Sequence, residues 1–152
     1  MSKRLILLRH AHREKNLGHH IDNGLSEKGK KQVARLVKFF EKKFNEEKPV
    51  FYSSPKKRCV ETAEPVAELF SEKVQIMKHL DEGDFLENRV QEIIKWWVRE
   101  APPLTVLCSH GDLIPLLVYQ MTGARVEFKK GAMAEISGPS GAPWLYTLIQ
   151  EF

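Results

Sequence analysis

Arg9 and His10 close an apolar stretch, Leu5-Ile6-Leu7-Leu8, near the start of the chain. Arginine offers a planar fork of donors that matches phosphate oxygens, and a neutral imidazole can attack phosphorus and carry the phosphoryl group covalently. The pair points to phosphoryl chemistry, with Arg9 as clamp and His10 as carrier. Ser53-Ser54-Pro55-Lys56-Lys57-Arg58 follows a second apolar run and enters a helical pattern, where free amides and the Arg58 guanidinium can meet an anion. Ser109-His110-Gly111 follows another apolar run, and Gly111 leaves a backbone amide open to a ligand. Displacing an alkoxide needs a proton, and a positioned carboxylic acid contributes about 10² to 10⁴ in rate. The segment Leu80-Asp81-Glu82-Gly83-Asp84-Phe85 supplies acids: Glu82 is the candidate, with Asp81 and Asp84 as alternatives. Each segment alone also fits a structural histidine, a capped surface helix or a solvated loop acid; their repetition at successive strand ends carries the functional reading.

Groups so far apart in sequence must be brought together by the elements between them. Ile6–Leu8, Pro49–Ser53, Val74–Met77 and Leu104–Cys108 read as strands. Val33, Leu36, Val37, Phe40 and Phe44 recur at helical spacing, so a helix capped by Ser26 is expected to run to about Asn45. A second helix opens at Pro55, and Pro65 inside it is expected to kink or break it. Leu80–Asn88 reads as an acidic loop, Val90–Glu100 and Leu113–Met121 as helices, and Ala132–Ile136 and Leu145–Ile149 as late strands flanking a Gly/Pro turn. Alternating strands and helices predict an α/β fold of three layers: a mainly parallel sheet with helices on both faces. In such a sheet the carboxyl ends of the strands share one edge, where ligands bind.

The 152 residues suit one domain spanning the whole chain, 1–152. No apolar run approaches about 18 residues, so no membrane span is expected. The chain enters its first strand without a signal-peptide cleavage pattern, and Cys59 and Cys108 make no disulfide framework; a cytoplasmic location is expected. The net charge of +4 arises from lysines interleaved with glutamates, without an RNA-binding aromatic motif, so no nucleic-acid partner is expected. His10, His12, His19 and His20 lack an established zinc spacing, and neither a metal nor a cofactor is expected. The flanking histidines, with Arg13 and Lys15, line the site entrance or are simply exposed.

Taken in order, these segments resemble the histidine phosphatase superfamily, whose fold is phosphoglycerate-mutase-like. Leu8-Arg9-His10-Ala11 is similar to the family's Arg-His-Gly signature, and Asn16 stands at the spacing of its phosphate-loop asparagine. Leu25 to Gln32 resembles the family's helix entry, Ser54 to Ala63 its Ser-Pro-x-x-Arg helix, Leu80 to Phe85 its acidic loop, and Ser109-His110-Gly111 its second histidine motif. The resemblance implies that His10 accepts the phosphoryl group, that Arg9, Arg58 and His110 bind it, that Glu82 is the acid, and that Asn16, Ser109 and Gly111 contact substrate; Arg13, at the entrance, is a further substrate-binding candidate. Ala11 replaces the usual glycine, His12 stands where many members carry an acid, and Leu86 replaces a common glycine. Alanine at the third position points to small branches that resemble phosphohistidine phosphatases.

These readings combine into a two-step displacement in which neutral His10 attacks the phosphoryl group, Glu82 protonates the departing oxygen, and water hydrolyses the phosphohistidine. The expected substrate is a phosphorylated small molecule or a phosphoprotein. A catalytically silent phosphoprotein-binding module and a mutase-type phosphotransferase are the competing readings. Oligomeric state is not legible.

Overall fold

The computed structural model describes residues 2–16, 18, 20–139 and 144–152. Its elements are β1 (Ser2–Arg9), α1 (Glu27–Lys43), β2 (Val50–Ser53), α2 (Lys57–Glu68), β3 (Gln75–Ile76), α3 (Leu86–Arg99), β4 (Leu104–Ser109), α4 (Leu113–Thr122), β5 (Ala132–Pro139) and β6 (Leu145–Glu151). The strands form one six-stranded sheet in the order β3-β2-β4-β1-β5-β6. β1, β2, β3 and β4 run parallel, and β5 and β6 continue the sheet antiparallel from β1. The mainly parallel sheet is thus as expected. The Gly/Pro turn between the late strands lies outside the described residues.

Alternation along β1 builds the three layers. Leu5 and Leu7 pack with Val90, Ile93 and Trp97 of α3 and Leu117 of α4, while Ile6 and Leu8 pack with Leu36 and Phe40 of α1 and Ala63 of α2. All four β1 side chains are fully buried, and each contributes roughly 1.5–3 kcal/mol relative to exposure. A slip of one residue would exchange the two faces, so the core fixes the β1 register. That register pairs Arg9 with Ser109, and the backbone N–H of His10 donates to the Ser109 carbonyl at 3.1 Å. Two of the strand ends that carry candidate site residues are therefore locked side by side.

Several expected boundaries shift by a few residues, with β1 starting at Ser2 and α2 at Lys57, and two differences have a clear physical reason. Pro65 does not break its helix: α2 runs from Lys57 to Glu68 with Pro65 inside it, and Ala63, Val66 and Ala67 are buried against the sheet on either side of it. Packing outweighs the backbone hydrogen bond that proline cannot donate, and the helix ends within one turn anyway. α3 begins at Leu86, so the acidic loop ends sooner than Asn88. Leu86 extends the apolar stripe of Val90, Ile93 and Trp97 by one turn, and Glu87 suits the positive end of the helix dipole.

Candidate active site

The nucleophile candidate follows β1 directly and is 4% exposed. His10 Nδ1 lies 2.8 Å from the Ala11 carbonyl oxygen. A carbonyl only accepts, so Nδ1 carries the proton and the lone pair sits on Nε2. Arg58 Nε donates to Nε2 at 3.3 Å. Burial, joined by the nearby charges of His110, Arg58 and Arg9, pulls the His10 pKa from 6.5 down to about 3 and outweighs the Ala11 hydrogen bond. His10 is held neutral, in the tautomer a nucleophile needs. Thr62 fixes the segment that follows: its hydroxyl accepts from the Ala11 N–H at 3.0 Å and donates to the Arg58 carbonyl at 2.7 Å.

Arg58 stands in the first turn of α2 and is 2% exposed. Its Nη2 reaches both Glu82 carboxylate oxygens at 2.5 Å and His110 Nδ1 at 3.3 Å. The His10 and His110 rings meet edge to face with centroids 5.5 Å apart, and His110 Nε2 hydrogen-bonds the Ser54 hydroxyl at 2.8 Å. Glu82 is part-exposed; burial pushes its pKa up, but the Arg58 hydrogen bond and the charges of His110, Arg58 and Lys56 leave it below the ordinary carboxylate value. Its loop is pinned by Arg89 of α3, which donates to the Asp81 and Asp84 carbonyls, and by the Asp112 carboxylate, which accepts from the Gly83 N–H.

Arg9 donates through Nη1 to the Phe128 carbonyl, and burial lowers its pKa despite the attraction of Asp112. Its Nε is buried without a hydrogen-bond partner. Gly111 explains how the guanidinium fits: a Cβ at Gly111 would lie 2.6 Å from Arg9 Cζ. The glycine thus makes room for an arginine, a role beyond the open amide expected of it.

A cavity of about 360 Å³ is lined by Arg9, His10, Arg58, Glu82, His110 and Gly111, with Arg13 also on its wall. Ser109 does not line it: the residue is buried and its hydroxyl donates to the Leu80 carbonyl, so the expected substrate contact is not made by this side chain. Asn16 is not brought to the cavity; it sits exposed in a turn whose backbone N–H bonds to Glu14. Of the acid alternatives, Glu82 lines the cavity, whereas Asp81 pairs with Lys56 at 3.4 Å. The expected anion site at the start of α2 is partly filled from within, since Asp22 accepts from the Lys57 N–H at 2.8 Å. No group of His, Cys, Asp and Glu among the described residues is placed to hold a metal ion; His19 lies outside them.

Sequence reasoning missed the segment Phe128 to Gly131, which forms a wall of the site. Its Lys130 lines the cavity, and the Gly131 N–H donates to the carbonyls of Arg9 and His10 at 3.2 and 3.1 Å. Gln32 of α1 ties this wall to the nucleophile loop, donating to the Lys130 carbonyl and accepting from the His12 N–H. A glycine just before the apolar run at Ala132 was the signal available in the sequence, and its φ of +80° is the conformation that calls for glycine there.

The profile of the histidine phosphatase superfamily (branch 1) matches residues 5–87, and the chain belongs to this family. Solved structures with this fold include a mycobacterial glucosyl-3-phosphoglycerate phosphatase, 18% identical over 100% of both chains with a TM-score of 0.79. A proposed alpha-ribazole-5'-P phosphatase from Escherichia coli is 16% identical over 98% of this chain and 96% of its own, TM-score 0.81. A phosphoserine phosphatase from Entamoeba histolytica is 16% identical over 88% of this chain and 90% of its own, TM-score 0.68. The fold is thus phosphoglycerate-mutase-like. No curated protein matches the sequence. Among the described residues no helix is long and apolar enough to cross a membrane.

Proposed function

We propose that residues 1–152 form one catalytic domain that hydrolyses phosphate monoesters or protein phosphohistidine through a phosphohistidine on His10, without a metal. The observation that carries this reading is the state of His10: buried and neutral, with Nδ1 bonded to the Ala11 carbonyl and Nε2 facing the Arg58 guanidinium.

The phosphoryl oxygens take the place of Glu82 on Arg58 and reach Arg9 and His110. These cations and donors stabilise the charge that develops on the equatorial oxygens, the part that magnesium plays elsewhere. Glu82, freed from Arg58 and facing a phosphoryl dianion, rises in pKa and can hold the proton that the leaving oxygen requires. Substrate binding itself thereby arms the acid. After the leaving group departs, the Glu82 carboxylate takes a proton from water as that water attacks the phosphohistidine, and neutral His10 is restored. A leaving nitrogen from phosphohistidine asks less of Glu82. The reading keeps a cytoplasmic setting, in which the buried free thiols of Cys59 and Cys108 would stay reduced.

An aryl phosphate incubated with the protein should release inorganic phosphate, and His10→Ala should abolish the release. Normal turnover by that variant would overturn the proposal.

A further inference from the structure

α1 and α2 pack on the same face of the sheet and leave an open groove of about 590 Å³ between them. Its floor is apolar, made by Leu25, Val33, Ala34, Val37 and Pro65, and none of these residues lines the cavity around His10. Ala34 is exposed, Val37 and Pro65 are half-buried, and among the described residues nothing covers them further. An apolar surface rimmed by charge marks a protein contact. From the two rims we infer that its occupant is a second copy of this chain, packed so that α1 of each copy lies against α2 of the other. The inference stands apart from the phosphatase reading.

Charge selects that occupant. Lys30 and Lys38 stand on the α1 rim, about two turns apart, and Glu61, Glu64 and Glu68 stand on the α2 rim. Among the described residues no ion pair crosses the groove; Lys30 pairs within α1 with Glu27 at 3.2 Å, an exposed contact worth little. A partner of one sign would be drawn to one rim and repelled by the other. This chain carries both signs, side by side.

Topology fixes how two copies meet. β1, β2 and β3 share one direction through the parallel sheet, so α1 and α2, each returning from one strand to the next, also run in one direction. The Leu25 N–H donates to Glu61 Oε1 at 2.9 Å, which ties the entry of α1 to the glutamate rim and keeps the two rims alongside each other. A two-fold axis along the groove then sets the lysine rim of each copy over the glutamate rim of the other, while Ala34 and Val37 close on Pro65. An axis across the helices would set lysine against lysine and glutamate against glutamate. The face is therefore self-complementary in one arrangement, the property that a symmetric pair requires.

Sedimentation equilibrium of the whole chain, carried to millimolar concentration, tests this. Wild type should reach twice the chain mass, less readily in high salt. Lys30→Glu with Lys38→Glu, and Glu64→Lys with Glu68→Lys, all at exposed positions, should each weaken association by roughly 10-fold or more. An equimolar mixture of the two double variants should recover it, because opposite signs face each other again. Ala34→Gln, which adds bulk to the floor at an exposed helical position without changing charge, should weaken it as well. A wild type that stays monomeric would overturn the inference, as would association that is unchanged or tighter in the double variants, or unchanged in Ala34→Gln. A mixture that fails to associate while circular dichroism shows both variants folded would also overturn it.

Discussion

Acidification should destabilise this protein through His10, the proposed nucleophile. His10 is 4% exposed and its pKa is held at about 3 against an ordinary 6.5, so the folded chain refuses a proton that the unfolded chain accepts. Stability is therefore complete above about pH 6.5 and falls by about 1.4 kcal/mol per pH unit as pH drops toward about 3. At about pH 5 the loss from this group amounts to about 2 kcal/mol, a sizeable part of a stability of about 5–15 kcal/mol. Urea unfolding at about pH 7 and about pH 5, for wild type and His10→Asn, isolates it. Groups such as Glu82 titrate in both chains and cancel in the comparison. Wild type should lose about 2 kcal/mol more than the variant between the two conditions. Equal losses would refute the claim that burial keeps His10 neutral.

Gly111→Ala should push the Arg9 guanidinium off its seat, because the new Cβ would lie 2.6 Å from Cζ; kcat/KM on an aryl phosphate should fall about 10²- to 10³-fold while the urea midpoint moves little. Retained kcat/KM would mean that Arg9 does not act from this position. Glu82→Gln should slow alkyl phosphates, whose leaving groups need a proton, by about 10²- to 10⁴-fold, and slow nitrophenyl phosphate far less. A similar loss on both would assign Glu82 to binding through Arg58 instead of proton transfer.

Much of the architecture is legible in the sequence because its signals are local. The alternation of Leu5 to Leu8 between two faces and the stripe of Val33, Leu36 and Phe40 each announce an element directly. Ser26 caps α1 as expected, its hydroxyl accepting from the Gly29 N–H at 3.1 Å. The site was legible to the extent that its groups follow parallel strands, which the topology gathers on one edge. Contacts made across the sheet left no such trace. Nothing near Gly111 in sequence says that the space it leaves belongs to Arg9, and nothing near Lys130 says that Gln32 will hold it beside His10. Pro65 misled because its backbone cost is local, whereas the burial of Ala63, Val66 and Ala67 that opposes it is tertiary.

The covalent step is the centre of the account. Mixing the protein with an excess of an aryl phosphate, quenching within milliseconds in alkali, where phosphohistidine survives, and mapping the modified peptide by mass spectrometry tests it directly. A phosphoryl group on His10, absent from His10→Ala, is the predicted result. Burst release of the phenol with His10 unmodified, or a phosphoryl group on His110 instead, would contradict it.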